Sequence, residues 1–439
     1  MQKKFEKVLM PVASKLGNNV VLMSLRDGFL IITPLIIVTS IFLLIGNFPI
    51  PGWSEFWIKL CGPQFSDWFS AVSNSVFSFT GILSAIAIAY AYAYGKNRGL
   101  DPIQAGMVSF ISFLILTPTS VVLGKKTVSA VETQFLGPNG IFLGIIIALI
   151  SVEIYRFAIK RNWTIKVPDG VPPAVTKSFD ALIPSALVVV FFFLIRILFS
   201  LTSFHTAYSF IYTILQTPLK HVGISLPSVL LYNFLASFFW FFGINGPSIT
   251  NSVWQPIFFV STQDNLKAFQ NHAPLPHIYT QPFIDLFTTY GGGGSTLALL
   301  IVVFAICKSK RLLELGKLAI LPGVFGINEP VIFGLPVVLN PVIVIPFILC
   351  PVLNTLISGI VMKLGWVAWT NGVQLPWTTP PIISGWLSTG SWTGSALQIV
   401  EIILNILIYY PFVKMLDKQY LKEEKAAAEK DLDIDFSEV

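Results

Sequence analysis

Glu329 is an acid where acids are expensive. It sits in Gly326-Ile327-Asn328-Glu329-Pro330, inside the otherwise apolar stretch from Leu321 to Pro341. An ionisable side chain at membrane depth marks, by default, a substrate or ion path. Pro330 removes a backbone donor and disfavours helix at Glu329 itself. Gly323, Gly326 and Gly334 permit backbone shapes that other residues resist. Broken backbone at that depth survives only where protein buries it or where it lines a wet cavity. The expectation is an interrupted or re-entrant segment that presents Glu329 and Asn328 to a polar ligand.

Two more polar-interrupted segments follow the same logic. One spans 245–255 and carries Asn245, Ser248, Thr250, Asn251, Trp254 and Gln255; the other spans 374–379 and carries Gln374, Trp377, Thr378 and Thr379. Amides, hydroxyls, one carboxylate and several tryptophans together suit a sugar. A carboxylate accepts hydrogen bonds from hydroxyls, and an amide both donates and accepts. Trp240, Trp254 and Trp377 offer flat faces against which a pyranose can stack, although tryptophan also favours membrane interfaces. The candidate binding set is Glu329, Asn328, Asn245, Trp240, Trp377, Trp254 and Thr378, with Glu329 as candidate catalytic residue. Glu329 has three readings: sugar ligand or catalytic neighbour, which is preferred, proton-coupling carboxylate, and structural ion pair.

The remaining reactive residue types form no such pattern. Arg26, Asp27, Asp180, Arg196, Asp285 and Glu401 lie in or beside apolar spans, where snorkelling or helix-to-helix pairing accounts for most of them. His205, His221, His272 and His277 make no metal spacing. Cys61, Cys307 and Cys350 make no CxxC and read as inert thiols. The glycines at 291–294 lack the lysine of a phosphate loop and read as a close-packing point or hinge. No metal or cofactor is expected.

The elements that must position these residues are membrane elements. The chain of 439 residues is 54% hydrophobic and 11% charged, with mean hydropathy +0.74. Soluble domains carry about 25% charged residues, so this is a polytopic membrane protein. Its net charge of +6 comes from Lys and Arg at segment ends and does not signal nucleic acid. Residues 1–27 read as a basic amphipathic helix on the cytoplasmic face, without the apolar core of a cleavable signal peptide. Spans of about 20 apolar residues fall at 28–46, 71–94, 103–123, 137–157 and 179–201. Lys96 and Arg98 mark an inside loop; Lys125 and Lys126 fall on the outside, against the rule. Residues 205–221 read as an interfacial linker. Later spans fall at 226–242, 245–260, 283–307, 341–362 and 394–412, with an external loop at 262–282 and re-entrant segments at 318–339 and 366–392. The expected fold is an all-α polytopic membrane protein. It has about ten transmembrane helices, two re-entrant hairpins and interfacial amphipathic helices, with both termini inside. Its blocks are 1–201 (scaffold), 202–224 (linker), 225–413 (ligand-binding) and 414–439 (solvated cytoplasmic tail).

Gly326-Ile327-Asn328-Glu329-Pro330-Val331-Ile332-Phe333-Gly334, with Pro336 and Asn340-Pro341, resembles the signature of the membrane-spanning IIC components of the bacterial phosphoenolpyruvate-dependent sugar phosphotransferase system. Trp240-Phe241-Phe242-Gly243-Ile244 and Ser252-Val253-Trp254-Gln255-Pro256 resemble the lactose/cellobiose/diacetylchitobiose branch. The resemblance implies a homodimer in the bacterial cytoplasmic membrane, with the N-terminal block at the dimer interface. The C-terminal block would hold one disaccharide and move to alternate access. A phosphocysteine on a separate IIB protein, itself charged by IIA, would phosphorylate the sugar 6-hydroxyl. Carried over, Glu329 lies near that hydroxyl, Trp377 packs on the sugar, and Trp240 and Asn245 shape the pocket. Many members carry His where Asn245 stands, a departure that removes a titratable group and with it the basis for a base role there. No IIA- or IIB-like segment is visible, so the phosphoryl donor is expected on another chain. The implied partners are a disaccharide, IIB, a second copy and lipid, with no nucleic acid. The alternative is a proton- or cation-coupled sugar transporter that uses Glu329 as its coupling carboxylate.

Overall fold

Inside a bilayer every backbone polar group must be satisfied within the protein, which leaves helices as the default for apolar runs of this length. The computed structural model describes residues 15, 18–95, 100–123, 126–168, 171–335, 340 and 342–437. Most of the expected N-terminal helix lies outside them, as do Lys96, Arg98, Lys125, Pro336 and Pro341.

The first half contains α1 (Val20–Gly46), α2 (Trp53–Cys61), α3 (Phe65–Phe77), α4 (Thr80–Tyr94), α5 (Pro102–Leu116), α6 (Thr133–Leu136), α7 (Ile141–Lys160) and α8 (Pro173–Ser200). Asn19 caps α1 by accepting from Val21 and Leu22 N–H, and Asp101 caps α5 in the same way, so both starts follow from short polar side chains. Helix α4 is the hub against which α1, α5 and α7 pack. The all-α expectation needs one correction. Ser120–Leu123 and Lys126–Ser129, which carry several β-branched residues, pair as two antiparallel strands, β1 and β2. Helix α2, with no buried residue, lies within the segment expected to be an external connection.

Then come α9 (Ala207–Ile211), a π-turn at Tyr212–Gln216, α10 (Thr217–Gly223), α11 (Leu226–Phe241), α12 (Gly246–Gln270), α13 (Gln281–Phe287), α14 (Thr296–Ile306), α15 (Lys310–Val324), α16 (Glu329–Gly334), α17 (Val344–Lys363), α18 (Ile383–Thr389) and α19 (Trp392–Ser437). Among the described residues, α1, α7, α8, α17 and α19 are long and apolar enough to cross a membrane. The bent pairs α3–α4 (41°) and α9/α10–α11 (74°) raise the number to seven if each is one span.

Two further expectations change. The region expected to be a loop at 262–282 is helical to Gln270, and Asp264 there receives His277 Nε2 at 3.0 Å and the Lys220 ammonium. At the other end, α19 does not stop near residue 412. Val413, Leu416, Asp417 and Tyr420 are buried, and Asp417 accepts from the N–H groups of Lys308 and Ser309 at 3.0 and 2.9 Å. The first turns of the charged segment therefore hold the chain just before α15 instead of standing free in solvent.

The long helix also braces the broken segments. Gln398, Glu401, Asn405 and Tyr409 recur at helical spacing and are all buried. Gln398 accepts from Ile382 N–H (2.5 Å) and Gly385 N–H (3.0 Å) and donates to Leu286 O (2.7 Å). Glu401 accepts from the Tyr290 hydroxyl and from Ser358 Oγ (2.7 Å). Tyr409 donates to Gly294 O at 2.7 Å. Glu401, expected to pair helix to helix, does so through hydroxyls. This polar stripe fixes residues 286–294 and 382–385 relative to one rigid element.

Candidate functional site

The three polar-interrupted segments meet at one cavity of about 410 Å3. Its lining includes Asn245, Ser248, Asn251 and Gln255 from the first, Asn328 and Glu329 from the second, and Gln374, Trp377 and Thr379 from the third. Five of the seven candidate residues, Glu329, Asn328, Asn245, Trp240 and Trp377, line it; Trp254 and Thr378 do not.

The 245–255 segment is not broken along its length. Asn245 caps α12 by accepting from Ser248 N–H at 3.0 Å, Pro247 occupies the first turn, and the helix runs on unbroken to Gln270. What reads as a chain break is a helix start. Asn245, Ser248, Asn251 and Gln255 then fall on one face at helical spacing. The cap also gives Asn at 245 a structural use, a short side-chain acceptor at a helix start.

Gly326-Ile327-Asn328 is irregular, and Glu329 opens the short helix α16. Gly326 has φ +80°, and a Cβ there would meet the Trp377 carbonyl at 3.3 Å and its ring at 3.4 Å. Glycine thus lets the indole of Trp377 lie directly against backbone. Asn328 is buried and donates from Nδ2 to Gly293 O at 2.6 Å, which ties the segment to the glycine run. Gly292, at φ 86° and ψ −172°, lies in a region of backbone space nearly closed to other residues. Close packing, expected of these glycines, is what they provide.

Glu329 is exposed, faces the cavity, and has no hydrogen bond or ion pair among the described residues. The Asp285 carboxylate differs: it accepts from Gln281 Nε2 (2.9 Å) and Gln374 Nε2 (3.4 Å). Trp377 is 54% exposed, against 6% for Trp240, so Trp377 offers the open face. Trp240 lies over Gly293 at the cavity edge, and its indole N–H has no acceptor among the described residues.

Trp254 stands behind the wall. Its Nε1 donates to Ser228 Oγ at 2.9 Å and its ring meets Tyr232 edge-on, with centroids 5.9 Å apart. Tyr232 in turn donates to Asn251 Oδ1 at 2.7 Å. Trp254→Phe should therefore cost about 0.5–1.5 kcal/mol of stability, the worth of one hydrogen bond, with ligand affinity little changed. A binding titration beside a melting curve checks it; a large affinity loss without a stability loss would return Trp254 to direct contact.

Sequence reading passed over three parts of the lining. Tyr232, Asn233 and Ser237 share a polar stripe on α11 with Trp240 at helical spacing; of the four, Trp240 alone is a sequence candidate, and the other three are diluted by the apolar residues between them. Asp285, for which the sequence suggests helix pairing or snorkelling, lines the cavity beside Gln281. Arg26, with Leu30, Thr33 and Ile37, brings one face of α1 to the cavity, so the first half of the chain supplies a wall. Among the described residues no cluster of His, Cys, Asp or Glu fits a metal ion.

Residues 26–351 match the family described as Phosphotransferase system, EIIC. The chain is 40% identical over 427 residues to the Lichenan permease IIC component of Bacillus subtilis (strain 168), covering 95% of this chain and 94% of that one. It is 39% identical over 434 residues to the PTS system cellobiose-specific EIIC component of Geobacillus stearothermophilus, covering 97% and 96%. Among solved structures it resembles the transporter ChbC, the IIC component from the N,N'-diacetylchitobiose-specific phosphotransferase system. The TM-score is 0.93 at 38% identity, covering 96% of this chain and 99% of that one.

Proposed function

The chain belongs to the phosphotransferase system EIIC family, and on that premise we propose that it is a permease for a β-linked disaccharide. It carries the sugar across the bacterial cytoplasmic membrane and presents its 6-hydroxyl to the phosphocysteine of a separate IIB protein. The observation that carries this reading is the unpaired Glu329 carboxylate facing a cavity that also gathers amides, hydroxyls and the tryptophans Trp240 and Trp377. About 410 Å3 falls within the roughly 300–1,000 Å3 of small-ligand sites. The relatives named for lichenan, cellobiose and diacetylchitobiose share β-linked hexoses, which sets the substrate class.

In this reading Asn328, Asn245, Gln255 and Trp240 bond sugar hydroxyls, Trp377 stacks on a ring, and Glu329 takes the proton of the 6-hydroxyl. Phosphorylation makes uptake one-way, because a phosphosugar dianion does not recross the membrane. The protein works as a homodimer through its N-terminal block, 1–201. Block 225–413, joined through linker 202–224, moves to alternate access, and tail 414–439 is cytoplasmic. Counting the helices α5, α12 and α14 as crossings beside the seven gives ten, which with two re-entrant hairpins keeps both termini inside in this reading. Proton or cation coupling through Glu329 is the disfavoured use of the same carboxylate, since the family couples uptake to phosphoryl transfer.

Uptake into sealed vesicles tests the reading. Accumulation of labelled cellobiose or diacetylchitobiose should require phosphoenolpyruvate with the soluble phosphocarriers, yield the 6-phosphate inside, and survive an uncoupler. Accumulation that needs no phosphoryl donor and collapses with the proton gradient would overturn it.

A further inference from the structure

A neutral sugar does not call for a cation, yet one lines its cavity. The charged lining residues are Arg26, Asp285 and Glu329. Two of these are acids, whose ionised forms repel a phosphoryl group arriving as a dianion. Arg26 is the sole counter-charge in the described wall. It comes from α1, at the start of the helical face that continues through Leu30, Thr33 and Ile37.

Its guanidinium is paired along one edge: Nε donates to Asp27 Oδ1 at 2.7 Å and Nη2 lies 2.6 Å from the same oxygen, while Asp27 itself does not line the cavity. Among the described residues Arg26 has no other partner, so Nη1 and the second N–H of Nη2 are free. A guanidinium held along one edge presents a fork on the other, the geometry that matches phosphate oxygens. There is room for the group as well. A second recess of about 160 Å3 adjoins the cavity between α1 and the start of α12, and Arg26, Asn245 and Ser248 line both.

We propose that Arg26 is the phosphoryl-handling residue of this permease and that Asp27 is its positioning residue. The inference rests on the disaccharide-phosphotransfer reading and deepens it. In the transfer step the sugar 6-oxygen attacks the phosphorus of S-phosphocysteine. The O–P bond forms as the S–P bond breaks, the electron pair of that bond stays on the cysteine sulfur, and the hydroxyl proton passes to Glu329. Arg26 pairs with the non-bridging oxygens throughout and then holds the phosphate ester until release.

The test measures two quantities on purified protein: binding of cellobiose or diacetylchitobiose against its 6-phosphate, and phosphoryl transfer from phosphorylated IIB. Arg26→Gln should leave affinity for the neutral disaccharide essentially unchanged. It should weaken the 6-phosphate roughly ten- to a hundredfold and slow transfer about 10²–10³-fold, as for loss of one preorganised charge-stabilising donor. Retained disaccharide binding certifies the fold of the variant. Asp27→Asn keeps the cation but frees it, and should slow transfer without weakening the disaccharide; Asp27→Glu should restore it. Parallel loss of disaccharide and 6-phosphate affinity in Arg26→Gln would make Arg26 an ordinary sugar ligand and overturn the proposal, as would unchanged transfer. The 6-phosphate comparison needs no IIB, so a wild-type protein that never phosphorylates sugar defeats the functional reading separately.

Discussion

Glu329→Gln is expected to slow phosphoryl transfer to bound disaccharide by about 10²–10⁴-fold, the usual worth of a positioned general base. The amide keeps the size and one acceptor of the carboxylate but cannot take the 6-hydroxyl proton. Sugar binding should suffer far less. A hydrogen bond to a charged acceptor is worth about 1.5–3 kcal/mol against about 0.5–1.5 for a neutral one, so the disaccharide should bind roughly tenfold more weakly. The separation of the two effects matters because Glu329 makes no interaction of its own in the described structure. The substitution leaves no buried partner stranded, so stability should hold. Titration calorimetry with the disaccharide, beside transfer from phosphorylated IIB under saturating sugar, reads both numbers. Transfer at the wild-type rate would remove the base assignment. A binding loss as large as the transfer loss would make Glu329 a ligand and nothing more.

How much of this was legible in the sequence varies with how tightly the chemistry is packed along the chain. Asn328-Glu329-Pro330 compresses an acid, an amide and a helix breaker into three positions, and the cavity gathers it with the segments starting at Asn245 and Gln374. Such short clusters stand out against apolar surroundings. The rest of the α11 face around Trp240, namely Tyr232, Asn233 and Ser237, does not, because one or two polar residues per turn are lost among phenylalanines and leucines. Arg26 was visible but misjudged, since an arginine at the start of a span usually snorkels to the interface and only tertiary structure shows the cavity beside it. The break at Asn245 was overextended because Asn, Gly and Pro signal both a loop and a helix N-terminus. The end of α19 was missed for a related reason. Lys and Glu read as solvent-facing, while spacing alone could not show that Leu416 and Tyr420 would find a groove.

The glycine run carries the second large effect, at Gly292. With φ 86° and ψ −172° it occupies backbone space that is essentially glycine-only, and a Cβ there would lie 2.6 Å from both Asn328 Cγ and the Gly326 carbonyl. Gly292→Ala therefore carries about 1–3 kcal/mol of backbone strain before any collision is counted. The relief route is displacement of the 326–328 segment, because the opposite side is fixed. Tyr290 and Gly294, on either side of Gly292, are held by Glu401 and Tyr409 of α19. Moving 326–328 breaks the Asn328 bond to Gly293 and lifts Gly326 away from Trp377, so the stacking face and the Glu329 carboxylate both lose their setting. Disaccharide affinity should fall at least roughly tenfold while the protein still purifies as a folded species. Gly323→Ala is the matched control. Its Cβ would meet only a terminal carbon of Leu300, at 2.8 Å, which a flexible side chain can yield, so binding should stay near wild type. Wild-type affinity in Gly292→Ala would show that Asn328 and Trp377 hold their places without the glycine run, and the contact assigned here between the two broken segments would have no bearing on sugar recognition.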